Sequence, residues 1–182
     1  MTPPSSKWAN LSLALRSALW TVLLPGVIAG YVPWRYFGVC RLHIDLTRPS
    51  DVLGLLCAGA GAAVLGACIR EFARSGRGTL APIDPPRELV VRGLYRYVRN
   101  PMYLGVTTIL LGEVLLAGSR ALLAYGLIWF AGANLFVIGY EEPALRRRFG
   151  ESYARYSMRA GRWLPRFKAR DRFPPAGDTP ST

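Results

Sequence analysis

Two apolar stretches constrain this chain more than any other feature. Val52 to Ile69 and Ala121 to Tyr140 carry no charged residue over 18 and 20 positions. About 18 or more apolar residues is the length at which a helix can cross the hydrocarbon core of a bilayer. The hydrophobic content, 51% of the chain, is gathered into such blocks rather than spread at a helical period. Two further segments are close to the same criterion. Leu11 to Val32 contains Arg16 and Pro25-Gly26, and Met102 to Gly118 contains one carboxylate, Glu113. The first is expected to be retained rather than cleaved, because Arg16 interrupts it and no short apolar core leads to a small-residue cleavage site. The expected fold is all-α: a multi-pass membrane bundle of about four transmembrane helices with interfacial amphipathic helices.

The net charge of +12 raises nucleic acid as a partner, but the positions of the basic residues argue against it. Seven Lys and Arg fall in residues 70–100 and ten in residues 141–182, out of 23. Basic residues that flank apolar spans report cytoplasmic loops, so the 70–100 loop, the C-terminus and the N-terminus are expected on the cytoplasmic side. The loop Pro33 to Asp51, with Arg35, Arg41 and Arg48, then faces outward against the trend. No nucleic acid is expected, and membrane lipids are. The three cysteines form no CxxC pair and His43 is the only histidine, so neither a metal site nor a histidine triad is expected.

The run from Gly93 to Gly105 places tyrosines and arginines directly before an apolar segment. Asn100-Pro101 is a helix-start signal, since an Asn side chain can cap free N–H groups and a proline at the first helical position sacrifices none. The positive end of that helix, with Arg96 and Arg99 just outside, is suited to an anion. Read alone, the run better suits an aromatic and basic anchor at the membrane interface.

Gly118-Ser119-Arg120 is too short a link for anything but an antiparallel hairpin of the third and fourth spans. That hairpin returns Tyr140 to the membrane face of Pro101, so Glu141 and Glu142 should lie beside the tyrosine-arginine run. Pro143 can open a new helix, and Leu145, Phe149, Tyr153 and Tyr156 would share one face of it. The arginines on the remainder, Arg146, Arg147, Arg148, Arg155 and Arg159, suit anionic lipid, and Gly150 weakens the helix. Within the spans, Glu113 and Asn134 are polar groups at costly depth, and a structural hydrogen bond between them is the simplest expectation. The second span is rich in small residues, from Gly54 and Ala58 through Gly59 and Gly61 to Gly66, a pattern that lets a helix approach closely.

The ordered series G-x-Y-R-Y-x-R-N-P-M-Y-x-G, Y-E-E-P-x-L, F-G-x-x-Y-x-x-Y and R-W-x-P-R is more specific than any of its parts. It resembles the isoprenylcysteine carboxyl methyltransferase superfamily of integral membrane enzymes. Asn100-Pro101-Met102-Tyr103-x-Gly105 and Gly59-x-Gly61 bring it nearer the phospholipid amine methyltransferases. The isoprenylcysteine enzymes usually have histidine where this chain has Asn100, which bears on the substrate more than on the cofactor.

The resemblance implies an S-adenosylmethionine-dependent methyltransferase whose cofactor half covers about residues 59–166 of a single domain, 1–173, followed by a disordered tail, 174–182. It implies cofactor contacts from Gly59, Gly61, Arg99, Asn100, Tyr103, Gly105, Glu141 and Glu142, with Glu141, Glu142 and Arg99 also nearest the chemistry. The acceptor would be a lipophilic small molecule or lipidated substrate. Isoprenylcysteine-like carboxyl O-methylation is expected first, with Arg99 or Arg162 holding the carboxylate. Phospholipid amine N-methylation is the alternative, with Glu141 or Glu142 taking a proton, and a scaffold that retains the fold without catalysis is a third reading.

Overall fold

The structure, a computed structural model, describes residues 23–39, 43–75, 89 and 91–166. The N-terminal lead-in, the start of the first apolar segment, most of the turn-rich loop before Leu89 and the 174–182 tail lie outside them. The described elements are helical: α1 (Val32–Tyr36), α2 (Pro49–Ser75), α3 (Pro101–Ala117), α4 (Arg120–Phe136) and α5 (Glu142–Arg159). A 3₁₀ turn, Gly93–Arg96, precedes α3, and π-helical turns occupy Val27–Tyr31 and Val137–Glu141.

Two helical stretches, Pro49–Glu71 and Arg120–Arg159, are long and apolar enough to cross a bilayer. Only 17% of the most apolar window of each is buried, so neither is the sequestered core helix of a soluble domain. Leu56, Leu127, Ile128 and Leu135 point outward, each more than 60% exposed. The α3 helix is shorter, 17 residues, or about 25 Å at the helical rise per residue. It is flanked by the other two and is the best buried of the three.

A glycine seam explains why α2 and α3 lie so close. A Cβ added to Gly61 would sit 2.6 Å from the Gly105 carbonyl oxygen, and one added to Gly112 would sit 2.6 Å from the Gly54 carbonyl oxygen. The partners are seven residues apart on each helix and in opposite order, which fixes an antiparallel register. Without side chains at those four positions the backbones meet directly, the gain that small residues bring to helix pairs in lipid. Leu65, Val106 and Leu110 fill the space beside the seam, and Ala29 of the first π turn packs on them. Gly59 is on the opposite face with nothing within 4 Å.

Gly118, in the left-handed region at φ 58°, ends α3, and the Ser119 hydroxyl accepts from the Leu122 N–H to start α4. The hairpin read from the sequence is thus built by a glycine stop and a serine cap. Both π turns follow one rule of proline chemistry. Each is followed at the second position by a proline, Pro33 or Pro143, which has no N–H to give. The Val32 N–H bonds back to the Val27 carbonyl, and that of Glu142 to Val137, one residue further than in an α-helix. In the first case the Ile28 carbonyl is released, and the Tyr125 hydroxyl donates to it at 2.9 Å. This bond ties the first helical segment to α4.

The seam yields a contrast measurable by thermal denaturation in detergent. Gly61→Val or Gly112→Val should destabilise by about 1–3 kcal/mol or more, the cost of forcing atoms into a filled contact. Gly59→Ala should stay within about 0.5 kcal/mol of the parent.

Candidate functional site

The tyrosine-arginine run, the paired glutamates and the C-terminal motif converge at one end of the α3–α4 hairpin. The 3₁₀ turn docks on α2, where the Tyr95 hydroxyl donates to Cys68. The chain then runs extended beside residues 161–166. The Arg99 N–H donates to the Gly161 carbonyl at 2.8 Å, and the N–H groups of Gly161 and Arg166 both donate to the Tyr97 carbonyl, at 3.1 and 3.2 Å. Gly161 must be glycine there, because a Cβ would run into the Leu164 carbonyl. The Tyr156 hydroxyl donates to the Tyr95 carbonyl at 2.7 Å and anchors α5 under the same run.

Asn100 precedes α3 as expected, but its side chain does not cap the helix. Its amide instead donates to the Arg162 carbonyl at 3.2 Å, because the 161–166 segment runs alongside and brings that acceptor within reach. Pro143 lies in the first turn of α5, and Leu145, Phe149, Tyr153 and Tyr156 form one apolar cluster with Ala160. Gly150, at φ 50° and ψ −124°, bends α5 into two pieces around that cluster.

The two glutamates have different fates. Glu142, 5% exposed, is gripped by Arg162 through two bonds, Nε to Oε1 at 2.7 Å and an Nη to Oε2 at 2.9 Å. Arg99 adds a contact from Nη1 to Oε1 at 3.2 Å, and the same Nη1 donates to the Tyr153 hydroxyl at 3.3 Å. The hydrogen bond to Glu142 raises the pKa of Arg162 above its ordinary value. Glu141, one residue earlier on the π turn, accepts from a neutral donor, the Tyr103 hydroxyl, at 3.2 Å on Oε2, and among the described residues no arginine or lysine pairs with it. The expected proximity of Tyr103 and Glu141 is therefore met, while the arginines thought free to hold a substrate carboxylate are turned toward Glu142.

Tyr103 is held on two sides, stacked on Trp129 at 6.1 Å between centroids and met edge-on by Trp163 at 6.3 Å. Phe130 packs on Trp163 at 5.2 Å. These aromatics were not singled out in the sequence, although Trp163 stands inside the R-W-x-P-R motif. The expected Glu113–Asn134 bond does not form. Asn134 accepts from the Trp163 indole N–H at 3.0 Å instead, and Glu113 Oε2 is buried without a partner on α3. Gly61 and Gly105 face each other in the α2–α3 seam, and Gly59 faces outward.

The arrangement suits a small zwitterion that also carries a soft cation. The Arg99 Nε is buried with no partner, a donor available to a carboxylate. Glu141 offers a lone carboxylate, and Tyr103, Trp129 and Trp163 offer aromatic faces to a cation. Among the described residues no cluster of His, Cys, Asp and Glu could hold a metal ion.

Breaking the buried pair should be costly. Glu142→Ala leaves two arginines facing each other and should lose about 3–5 kcal/mol of stability. Glu141→Gln keeps an acceptor for Tyr103 and should lose no more than about 1 kcal/mol, as read by denaturation midpoints of the purified proteins.

An uncharacterized protein of Haemophilus influenzae is 36% identical over 63 residues, which span 35% of this chain and the whole of that relative. No solved structure matches. The model of the phospholipid methyltransferase family matches residues 50–152, from the start of α2 through both glutamates and into α5. That match covers more than half of the chain, and the protein belongs to the phospholipid methyltransferase family.

Proposed function

We propose that this protein is an S-adenosylmethionine-dependent methyltransferase that methylates an amine on a lipophilic, membrane-associated acceptor. The observation that carries the reading is the division of labour between the glutamates. Glu142 is committed to Arg99 and Arg162, whereas among the described residues Glu141 is bonded by a neutral tyrosine alone. A carboxylate acceptor would need an arginine to position it; Arg162 is committed to both oxygens of Glu142, and the buried Nε of Arg99 is the donor this reading assigns to the cofactor. An ammonium acceptor must first lose a proton, and Glu141 is a carboxylate placed to take it. These facts favour amine N-methylation over the carboxyl O-methylation expected first.

When bound, the cofactor supplies a methyl group on a positively charged sulfur, open to in-line attack by a nitrogen lone pair. The residues of this chain bind and align. Arg99, through Nε, would hold the cofactor carboxylate. The rings of Tyr103, Trp129 and Trp163 would shield the reacting groups from water and favour positive charge, and Glu141 would hold the proton released by the acceptor. Glu142 acts one step back, by fixing Arg99. The π turn at Val137–Glu141 sets the two carboxylates in different surroundings despite their adjacency.

The same reading extends to topology. Four spans in one domain over 1–173, with the site and the C-terminus cytoplasmic, agree with the basic residues of 70–100 and 141–182. The exposed apolar faces of α2 and α4 allow an acceptor to arrive sideways from the bilayer.

Titration of the detergent-purified, folded protein with S-adenosylmethionine should show saturable binding, and Glu141→Gln should bind with slowed turnover by about a hundredfold, the lower range for a proton acceptor. Radiolabelled methyl transferred to lipid fractions should resist alkali. Label released as methanol by alkali would mean ester formation and would sink the amine reading; no binding by the folded protein would sink both.

A further inference from the structure

We infer that Asn134 is a positioning residue of this site, acting through Trp163 and Tyr103 on Glu141; the inference rests on the methyltransferase reading. An amide in the last turn of an apolar helix is costly to keep unless it is satisfied. Asn134 spends its oxygen on one donor, the indole N–H of Trp163, at 3.0 Å. The other polar ties of residues 161–166 lead elsewhere. They go to the backbone of Tyr97 and Arg99, to Asn100, to Glu142 and, from Arg166, to the Met158 carbonyl. Among the described hydrogen bonds, the one from Trp163 alone fastens this segment to α4.

The consequences run outward from that bond. With its N–H fixed on Asn134, the Trp163 ring lies against Phe130 and presents itself edge-on to Tyr103. Trp129 holds the opposite side of the Tyr103 ring. A tyrosine fixed on both sides has its hydroxyl aimed one way, and here it donates to Glu141 Oε2. Asn134 touches neither Tyr103 nor Glu141 through any described hydrogen bond. Its effect is to remove the freedom of Trp163, and thereby that of the two groups nearest the proton transfer. The packing of a leucine would fill the same volume without providing this direction.

Four variants test the chain of contacts: Asn134→Leu, Asn134→Asp, Trp163→Phe, and Asn134→Leu combined with Trp163→Phe. Asn134→Leu should lower kcat about tenfold, the change that one hydrogen bond of ordinary strength supports, with KM for S-adenosylmethionine little changed. Trp163→Phe keeps a ring but no N–H and should reproduce that loss. The combined variant should be no worse than either, since both remove one bond. Asn134→Asp keeps an acceptor oxygen at the same reach and should restore most of the turnover. Rates are normalised to the cofactor-binding fraction, so a variant that merely folds poorly does not register as slow. Normal kcat in Asn134→Leu, additive losses in the combined variant, or no recovery with aspartate would each overturn the inference while leaving the methyltransferase reading intact. Failure of the parent protein to bind cofactor would overturn that reading itself.

Discussion

The buried carboxylate of Glu142 is the interaction on which the rest of the site depends. It draws together three parts of the chain that are far apart in sequence: Arg99 before α3, Glu142 at the start of α5 and Arg162 after it. A lone carboxylate so well buried would be strongly unfavourable without a paired cation. The fork of Arg162 takes both oxygens, and Arg99 approaches from another side. Once this group is neutralised, the backbone pairing of Tyr97 to Arg99 with Gly161 can form beside it. The electrostatic knot and the backbone contacts thus support each other, and the Tyr153–Tyr156 cluster closes over them.

Proline shapes the membrane part in a similarly economical way. A missing N–H at Pro33 and at Pro143 forces the preceding turn to widen, and the widened turns occur where the helices must do something other than continue. In the first, a freed carbonyl is taken by Tyr125 from α4. In the second, the turn ends at Glu141 and α5 starts at Glu142, so two adjacent acids part company. One goes to the arginines and the other to a tyrosine in an aromatic setting. That separation gives a single dipeptide two settings, one braced by arginines and one hydrogen-bonded to a tyrosine.

The glycine seam between α2 and α3 carries this end of the molecule. Direct backbone contact fixes the register of α3 against α2, while the α3–α4 hairpin returns Glu141 to the end of α3 that holds Tyr103. Helices separated by ordinary side chains could slide or rotate.

Much of this was legible in the sequence. Charge-free blocks defined α2 and α4, Asn100-Pro101 marked the start of α3, Gly118-Ser119 marked the hairpin, and the hairpin by itself required the tyrosine-arginine run and the Glu141-Glu142 pair to lie near one another. These follow from local chemistry: apolar length, the missing N–H of proline, the positive φ open to glycine, and chain connectivity. Side-chain partners were a different matter. The sequence could not show that Asn100 would serve Arg162 rather than cap its own helix, or that Asn134 would serve Trp163 rather than Glu113. Nor could it tell which glutamate the arginines would claim. Each of those choices is a competition among several donors and acceptors of similar strength, won by the pair that packing brings within about 3 Å. Only the tertiary structure settles such a contest, because the distances depend on how α2, α3, α4 and the 161–166 segment lie against one another. The run from Gly93 to Gly105 by itself declared a basic, aromatic segment at the membrane interface, and the hairpin placed the paired acids beside it. The fold decided that Arg99 would brace Glu142 and that Glu141 would meet Tyr103.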